Sequence, residues 1–486
     1  ILVYENPNAI PLIPSKAPEF PLLSSFAWGV FPMLSFVTSV ALGARRIYPV
    51  QAEWVIRKTY AFVIALLPLT LGLWVFRTIG DFSHPRVYFT YDNALFFLSD
   101  ALALLAVILW LAVKISTDRN TTVKQSFAVR RRFFDYVPLA FLAVATLSIL
   151  WSRDWRTSLY ISIHLWLIFL FVLSLRDWHE AWTGVMFGLC AALSIQLIVG
   201  YAEFGLQSTA FLDSVHLKWP GTLDPSASGA SVVQLADGWR LLRAYGTLPH
   251  PNLLGGFVLI LLLGPAALFL VDKKTNYPAV FLLSLGVILL VLTFSRSAWL
   301  GLLAFTVVLV MKFKYLERRR LVLLLCVVGV SLLLSLYSLR VVVFSRLPGS
   351  TATTEKISTV GRSWLAEQAI DMIRKHPLTG VGIGSFLLQL ASTAVQGAPI
   401  EPVHNIILIV AAELGLLGVS LLIALCFAAA KMIVRSKSPA AILAGALVTG
   451  LGMINLFDHY FWTLAPGRLM LGLALGLWAG QVANDA

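Results

Sequence analysis

A series of about thirteen apolar stretches, each near the roughly 17–25 residues that carry a helix across a bilayer, constrains this chain more than any other feature. They fall near 21–44, 59–76, 93–113, 136–151, 158–175, 181–203, 252–271, 278–294, 297–311, 321–343, 404–430, 439–457 and 469–484. Several are short or adjoin one another, so the pattern predicts 12–13 transmembrane helices. The hydrophobic share, 58% of 486 residues with only 13% charged, exceeds what a soluble fold of this length can hide, whereas lipid covers it readily. The expected fold class is an all-α polytopic membrane protein. Cys190, Cys326 and Cys426 all sit in apolar runs and read as packing residues, with no disulfide framework or metal set.

Two hydrophilic segments interrupt the series. The predicted organisation is amino-terminal spans over 1–203, a first large loop over 204–251 and central spans over 252–343. A second large loop follows over 344–403, then carboxy-terminal spans over 404–486. Basic residues set the sides, because Lys and Arg are retained in cytoplasmic loops. One alternating set of short loops holds 21 of the 37 cations, among them Arg57, Lys114, Arg176, Lys312, Arg318 to Arg320 and Arg435. That set is expected inside, which puts both large loops outside. The net charge of +13 is then largely an imprint of topology and calls for no nucleic acid.

Four polar, punctuated segments converge on the predicted outer face. They are "RAYGTLPHPNLLGG" (Arg243–Gly256), "TFSRSAW" (Thr293–Trp299), "GRSWLAEQAIDMIRKHPLTGVGIGSF" (Gly361–Phe386) and "EPVHN" (Glu401–Asn405). Asn252 reads equally as a helix cap or a site residue, and His250, between prolines, as a rigid-turn residue more than a catalyst. Arg243 suits an anion or a structural ion pair. Arg296 is the only charge between Pro278 and Met311, a hairpin short for two crossings; it either faces a polar interior or snorkels to lipid phosphates. Residues 362–376 read as an amphipathic helix with Trp364, Leu365, Ala369, Ile370, Met372 and Ile373 on its apolar face. Arg362 at its start is unfavourable for the helix dipole and is better explained by an anionic partner. His404 is the natural proton acceptor, with Glu401 to orient it, Asn405 beside it, and Glu413 further in, which must pair with something or line a cavity.

In that order, the Arg-x-x-Gly-Thr segment with its Pro-Asn, the Ser-Arg turn, the Arg block ending in His-Pro-Leu-x-Gly-x-Gly and the His-Asn helix start resemble the O-antigen ligase and polymerase superfamily of bacterial envelope enzymes. The resemblance covers roughly Arg243 to Gly418. It implies a membrane glycosyltransferase of the C type, a multi-pass protein of the bacterial inner membrane acting on its periplasmic face. Such an enzyme moves a glycan from a polyprenyl diphosphate carrier to a lipid or glycan acceptor, as in lipopolysaccharide biosynthesis, with no cofactor. Family members usually show about twelve spans with the amino end inside, whereas the count here gives thirteen with that end outside.

The residues support this chemistry in their own right. Departure of a diphosphate builds negative charge, which fixed guanidinium groups stabilise well. No Asp-x-Asp pair offers a metal seat, so the expected diphosphate ligands are Arg243, Arg296 and Arg362, with His404 as general base and no metal ligands. A single displacement would invert the anomeric centre. Trp219, Trp239 and Trp364 suit sugar stacking or, more simply, interfacial anchoring. A polymerase using the same donor is the close alternative; a polysaccharide transporter or flippase fits less well, because the charged candidates lie at helix ends rather than at the midplane.

Overall fold

The computed structural model describes residues 49–82, 84, 86–120, 133–215, 222–227, 229–235, 238–272, 276–344, 353–395, 398 and 400–485. The expected first span, 21–44, and Trp219 lie outside these residues. The structure is 76% helical and, among the described residues, has two short antiparallel strand pairs. Among the described residues, seven helices are long and apolar enough to cross a membrane, and four shorter apolar ones accompany them. This is an all-α polytopic membrane protein.

In chain order the elements are α1 (Pro49–Gly72), β1 (Phe76–Gly80), α2 (Phe89–Asp92), β2 (Ala94–Phe97), α3 (Leu98–Asn120), α4 (Phe133–Leu147), α5 (Trp155–Asp177) and α6 (Trp182–Leu206). Then come β3 (Val232–Gln234), β4 (Arg240–Leu242), α7 (Pro251–Leu261), α8 (Leu263–Leu270), α9 (Tyr277–Leu292), α10 (Arg296–Met311), α11 (Arg318–Ser338) and α12 (Arg340–Phe344). The series closes with α13 (Thr353–Lys375), α14 (Phe386–Thr393), α15 (Ile406–Arg435), α16 (Pro439–Asn455), α17 (Tyr460–Thr463) and α18 (Ala465–Asp485).

Polar caps mark the helix starts. Asp154, Asn276, Ser295, Asn405 and Ser438 each accept a backbone N–H from the first turn of the helix that follows, which satisfies donors a helix leaves orphaned. The α7–α8 segment is buried along its whole length and forms the centre of the bundle. Around it pack α10 on α16, α18 on α5, α1 on α3 and α6, and α15 on α4. Gly301 and Gly450 let α10 and α16 approach until each would place a Cβ about 3 Å from the other's carbonyl oxygen, 3.0 and 2.7 Å respectively. Close contact of that kind holds helices together where lipid gives no hydrophobic drive.

Helices α7, α10, α15 and α18 all begin at one end of the bundle, where Asn252, Ser297, Asn405 and the 456–463 segment meet. Several of the basic residues expected inside mark the opposite end. There Lys114 pairs with Asp177 at 2.7 Å, Lys312 donates to the carbonyls of Val434 and Ser436, and Arg320 to that of Asp272.

Three expectations need correction. The spans expected at 59–76 and 93–113 stop short of each other, α1 ending at Gly72 and α3 starting at Leu98: between them β1 pairs with β2, and α2 at the tip packs Tyr91 against the cluster around Leu365 and Ala369. The helix expected from Arg362 starts at Thr353, so Arg362 lies in mid-helix and the dipole argument for it fails. On that helix Leu365, Ala369 and Met372 are buried as expected, but Ile370 is exposed. Cys326 and Cys426 are likewise exposed, with only Cys190 partly packed; all three are free thiols.

The turn after α13 docks on a break in α15. Gly415 there has φ 63° and ψ −162°, a region open essentially to glycine. Val381 and Gly382 donate to the carbonyls of Ala412 and Glu413, and Leu416 to that of Pro377. A Cβ on Gly415 would sit 2.3 Å from the Leu378 oxygen. Gly415→Ala should therefore cost about 3 kcal/mol or more in stability, read as a fall in Tm of the detergent-solubilised protein; an unchanged Tm contradicts this docking.

Candidate active site

The site grows from helix ends. Pro251 at the first position of α7 makes His250 its N-cap, whose Nδ1 accepts from the Asn252 N–H at 3.1 Å while Nε2 lies 3.2 Å from the Ser231 hydroxyl. His250 is thus the turn residue its prolines suggest, and it, not Asn252, is the cap. That frees the Asn252 side chain for a longer-range task. Its Oδ1 accepts from Arg243 Nη2 at 2.5 Å, and its Nδ2 donates to Asp458 Oδ2 at 2.9 Å. Arg243 also donates from Nε to the Thr293 carbonyl at 2.7 Å. It is 5% exposed and bound into the wall.

Asp458 is the centre of the arrangement. It is 3% exposed, follows α16 after a short turn and lies beside the start of α7, where Asn252 reaches it, and the start of α10, where Ser297 lies 3.5 Å away. The third side is the entry to α15: His404 Nδ1 lies 3.4 Å from Asp458 Oδ1, off the line of a good hydrogen bond. Asn405, the cap of α15, fixes that approach by donating from Nδ2 to the Leu456 carbonyl at 3.0 Å. Three helix N-termini therefore converge on one carboxylate, and helix N-termini favour negative charge. Burial alone would raise the Asp458 carboxyl; the His404 imidazole alongside, with the guanidinium of Arg362 further off, holds it instead well below the usual carboxylate range.

His459 packs its ring edge-on to His404, with centroids 4.9 Å apart, and bonds through Nδ1 to the Thr463 hydroxyl at 2.8 Å. Burial, reinforced by the neighbouring His404, pushes it down to about 3, so it is neutral at ordinary pH. Tyr91 of α2 meets it from the other side, with ring centroids 6.1 Å apart, and feels the charges of Glu401 and Asp458. Arg362 on α13 bears electrostatically on Asp458 and His459, and its buried Nε has no hydrogen-bond partner among the described residues.

The sequence-predicted residues thus divide. His404, Asn405, Asn252, Arg243 and Arg362 converge. Arg296 opens α10 next to Ser297, half-buried and with a partner of its own. Glu413 lies in a different layer, where its carboxylate accepts from Trp462 Nε1 at 3.0 Å and the Phe386 N–H at 3.5 Å. The acidic partner of His404 is Asp458 rather than Glu401, because the proline after Glu401 directs the chain away while "NLFDHYFW" returns from α16. Trp239 is exposed, and Trp364 packs against the cluster around Leu365 and Ala369.

Sequence reasoning missed Asp458, His459 and Tyr91. One signal for the first two was present: a charged pair at the end of an apolar run on the same predicted face. His404, Asp458 and His459 also form a candidate metal-ligating group, with ligand atoms within 4.8 Å of one another. A tetrahedral zinc ion wants its ligands roughly 3.4 Å apart, and both Asp458 oxygens already have protein neighbours, so the group fits a metal only after contraction.

Fold and site together define a polytopic membrane protein with a half-buried histidine against a buried carboxylate under arginine influence. Residues 279–423, under a third of the chain, match the O-antigen ligase family, Wzy_C. No curated protein matches the chain.

A neutral buried histidine makes stability depend on acid. The unfolded chain takes up a proton near 6.5 and the folded one only near 3, so this contribution is complete above pH 6.5 and shrinks as pH falls toward 3. Tm should drop on acidification from neutrality to pH ~4.5, and His459→Gln should flatten that drop. Parallel profiles for the two proteins would contradict a neutral His459.

Proposed function

We propose that the chain is an O-antigen ligase-like glycosyltransferase that moves a glycan from a polyprenyl diphosphate carrier to an acceptor hydroxyl at the periplasmic face of the bacterial inner membrane. One observation carries the reading: His404 stands against the buried Asp458 carboxylate, with Arg362 close enough to influence that carboxylate. The family match over 279–423 points the same way and favours a ligase. The gathering of basic residues at the end opposite the site supports a periplasmic site, since the positive end stays in the cytoplasm.

The chemistry runs as a single displacement. Asp458 steadies the His404 ring at Nδ1, which leaves Nε2 to take the proton of the acceptor hydroxyl, and the carboxylate stabilises the imidazolium that forms. The acceptor oxygen attacks the anomeric carbon, the bond from that carbon to the diphosphate oxygen breaks, and polyprenyl diphosphate leaves with the bonding pair. Attack opposite the leaving group inverts the anomeric configuration. Arg362 and Arg296 take up the developing charge as guanidinium forks. Arg243, fixed by Thr293 and Asn252, has a second part: it holds Asn252 on Asp458.

His404→Ala should lower transfer by about 10³-fold or more while Tm stays near wild type; retained transfer removes the base. Arg296→Lys should also cut the rate sharply, because a point charge does not replace a fork, and an unaffected rate favours contact with lipid phosphates. Exhaustive chelation should leave the rate unchanged; a loss restored by one divalent ion would assign His404, Asp458 and His459 to a metal instead. The decisive assay gives purified protein lipid-linked repeats, alone and then with a lipid-core acceptor. Mass added to the acceptor is the ligase outcome, longer chains on the carrier the polymerase one, and no transfer in either contradicts the proposal.

A further inference from the structure

A second buried polar cluster lies behind the site and touches none of its proposed catalytic groups. Asp100 at the start of α3, His164 on α5 and Arg468 on α18 are 1%, 4% and 4% exposed. Arg468 donates from Nε to His164 Nδ1 at 3.1 Å, and His164 Nε2 lies 3.1 Å from Asp100 Oδ1. An arginine N–H can only donate, so Nδ1 must accept and Nε2 must carry the hydrogen that goes to Asp100. The ring is held neutral between a cation and an anion, and the triad is charge-balanced. Asp100 Oδ2 is satisfied in turn by the Phe97 N–H at 3.0 Å.

The remaining reach of Arg468 is informative. Its Nη1 donates to the carbonyls of Trp462 at 2.8 Å and Thr463 at 3.2 Å, the last residues of α17. That turn carries Thr463, whose hydroxyl meets His459 Nδ1, and it follows Asp458 and His459 in the chain. From the same turn, Trp462 Nε1 bonds Glu413 on α15. A charged side chain buried this deep in a membrane bundle is expensive and is retained for what it holds.

We propose that Arg468, oriented by His164 and Asp100, is a positioning residue: it clamps the 460–463 turn so that Asp458 and His459 face His404. This rests on the transferase reading above. It assigns the amino-terminal spans α3 and α5 a part in the chemistry, delivered through a turn of α17.

The test uses the full chain and two readouts. The first is glycan transfer. The second is the rate of His404 carbethoxylation at fixed pH, read by mass spectrometry, which needs no enzymatic activity. Arg468→Gln should lower the maximal transfer rate about 100-fold, leave donor KM within about twofold, and raise His404 carbethoxylation severalfold as the turn loosens. The His164 pair guards against a misfolded arginine variant. Gln can both donate to Asp100 and accept from Arg468, so His164→Gln should keep most of the rate, whereas His164→Leu should behave like Arg468→Gln. Wild-type transfer and carbethoxylation in Arg468→Gln overturn the proposal, as does equal damage from Gln and Leu at His164. A wild-type protein that transfers nothing refutes the transferase reading alone, and the carbethoxylation rates still judge the clamp.

Discussion

A carboxylate buried inside a membrane bundle is affordable only with compensation on every side, and the layout of this protein follows from meeting that demand at Asp458. Asn252, Ser297, the His459 N–H and His404 surround it, each delivered by a separate helix start or the adjoining turn. Removing Asn252, which donates to Oδ2 at 2.9 Å, leaves part of a desolvated anion unpaired, which is far more costly than losing a surface bond. The carboxylate therefore fixes where α7, α10, α15 and α16 end relative to each other. It also places the imidazole at 404.

Around that centre the arginines divide by burial. Arg243 is locked into backbone and side-chain bonds, so its charge acts through Asn252. Arg362 has a buried Nε without a hydrogen-bond partner among the described residues. Helix N-termini add partial positive charge from three directions. On the proposed reading such a site favours a negatively charged ligand, while His459 stays neutral among its charges.

The bundle was legible in the sequence because lipid imposes a length and an apolarity that soluble folds do not. Spans such as 158–175 and 439–457 correspond to α5 and α16 within a few residues. His404 and Asn252 were legible too, since polar residues beside prolines at helix starts are conspicuous. Their partners were not. Asp458 is 54 positions from His404, and nothing local links them; only the antiparallel return of α16 does. Glu401 was the nearer acid and so the natural choice, yet proximity along the chain is a poor guide across a proline. The 73–97 segment hid its Tyr91 for the same reason, and the dipole argument for Arg362 failed because Gly361 does not stop the helix that begins at Thr353.

A structure of the protein with a non-hydrolysable polyprenyl diphosphate glycan bound tests the central claim most directly. The account predicts the diphosphate within hydrogen-bonding distance of the Arg362 or Arg296 guanidinium, and His404 Nε2 facing the anomeric carbon from the side opposite the leaving oxygen. A diphosphate bound away from both arginines, or a His404 ring turned from the sugar, would contradict it.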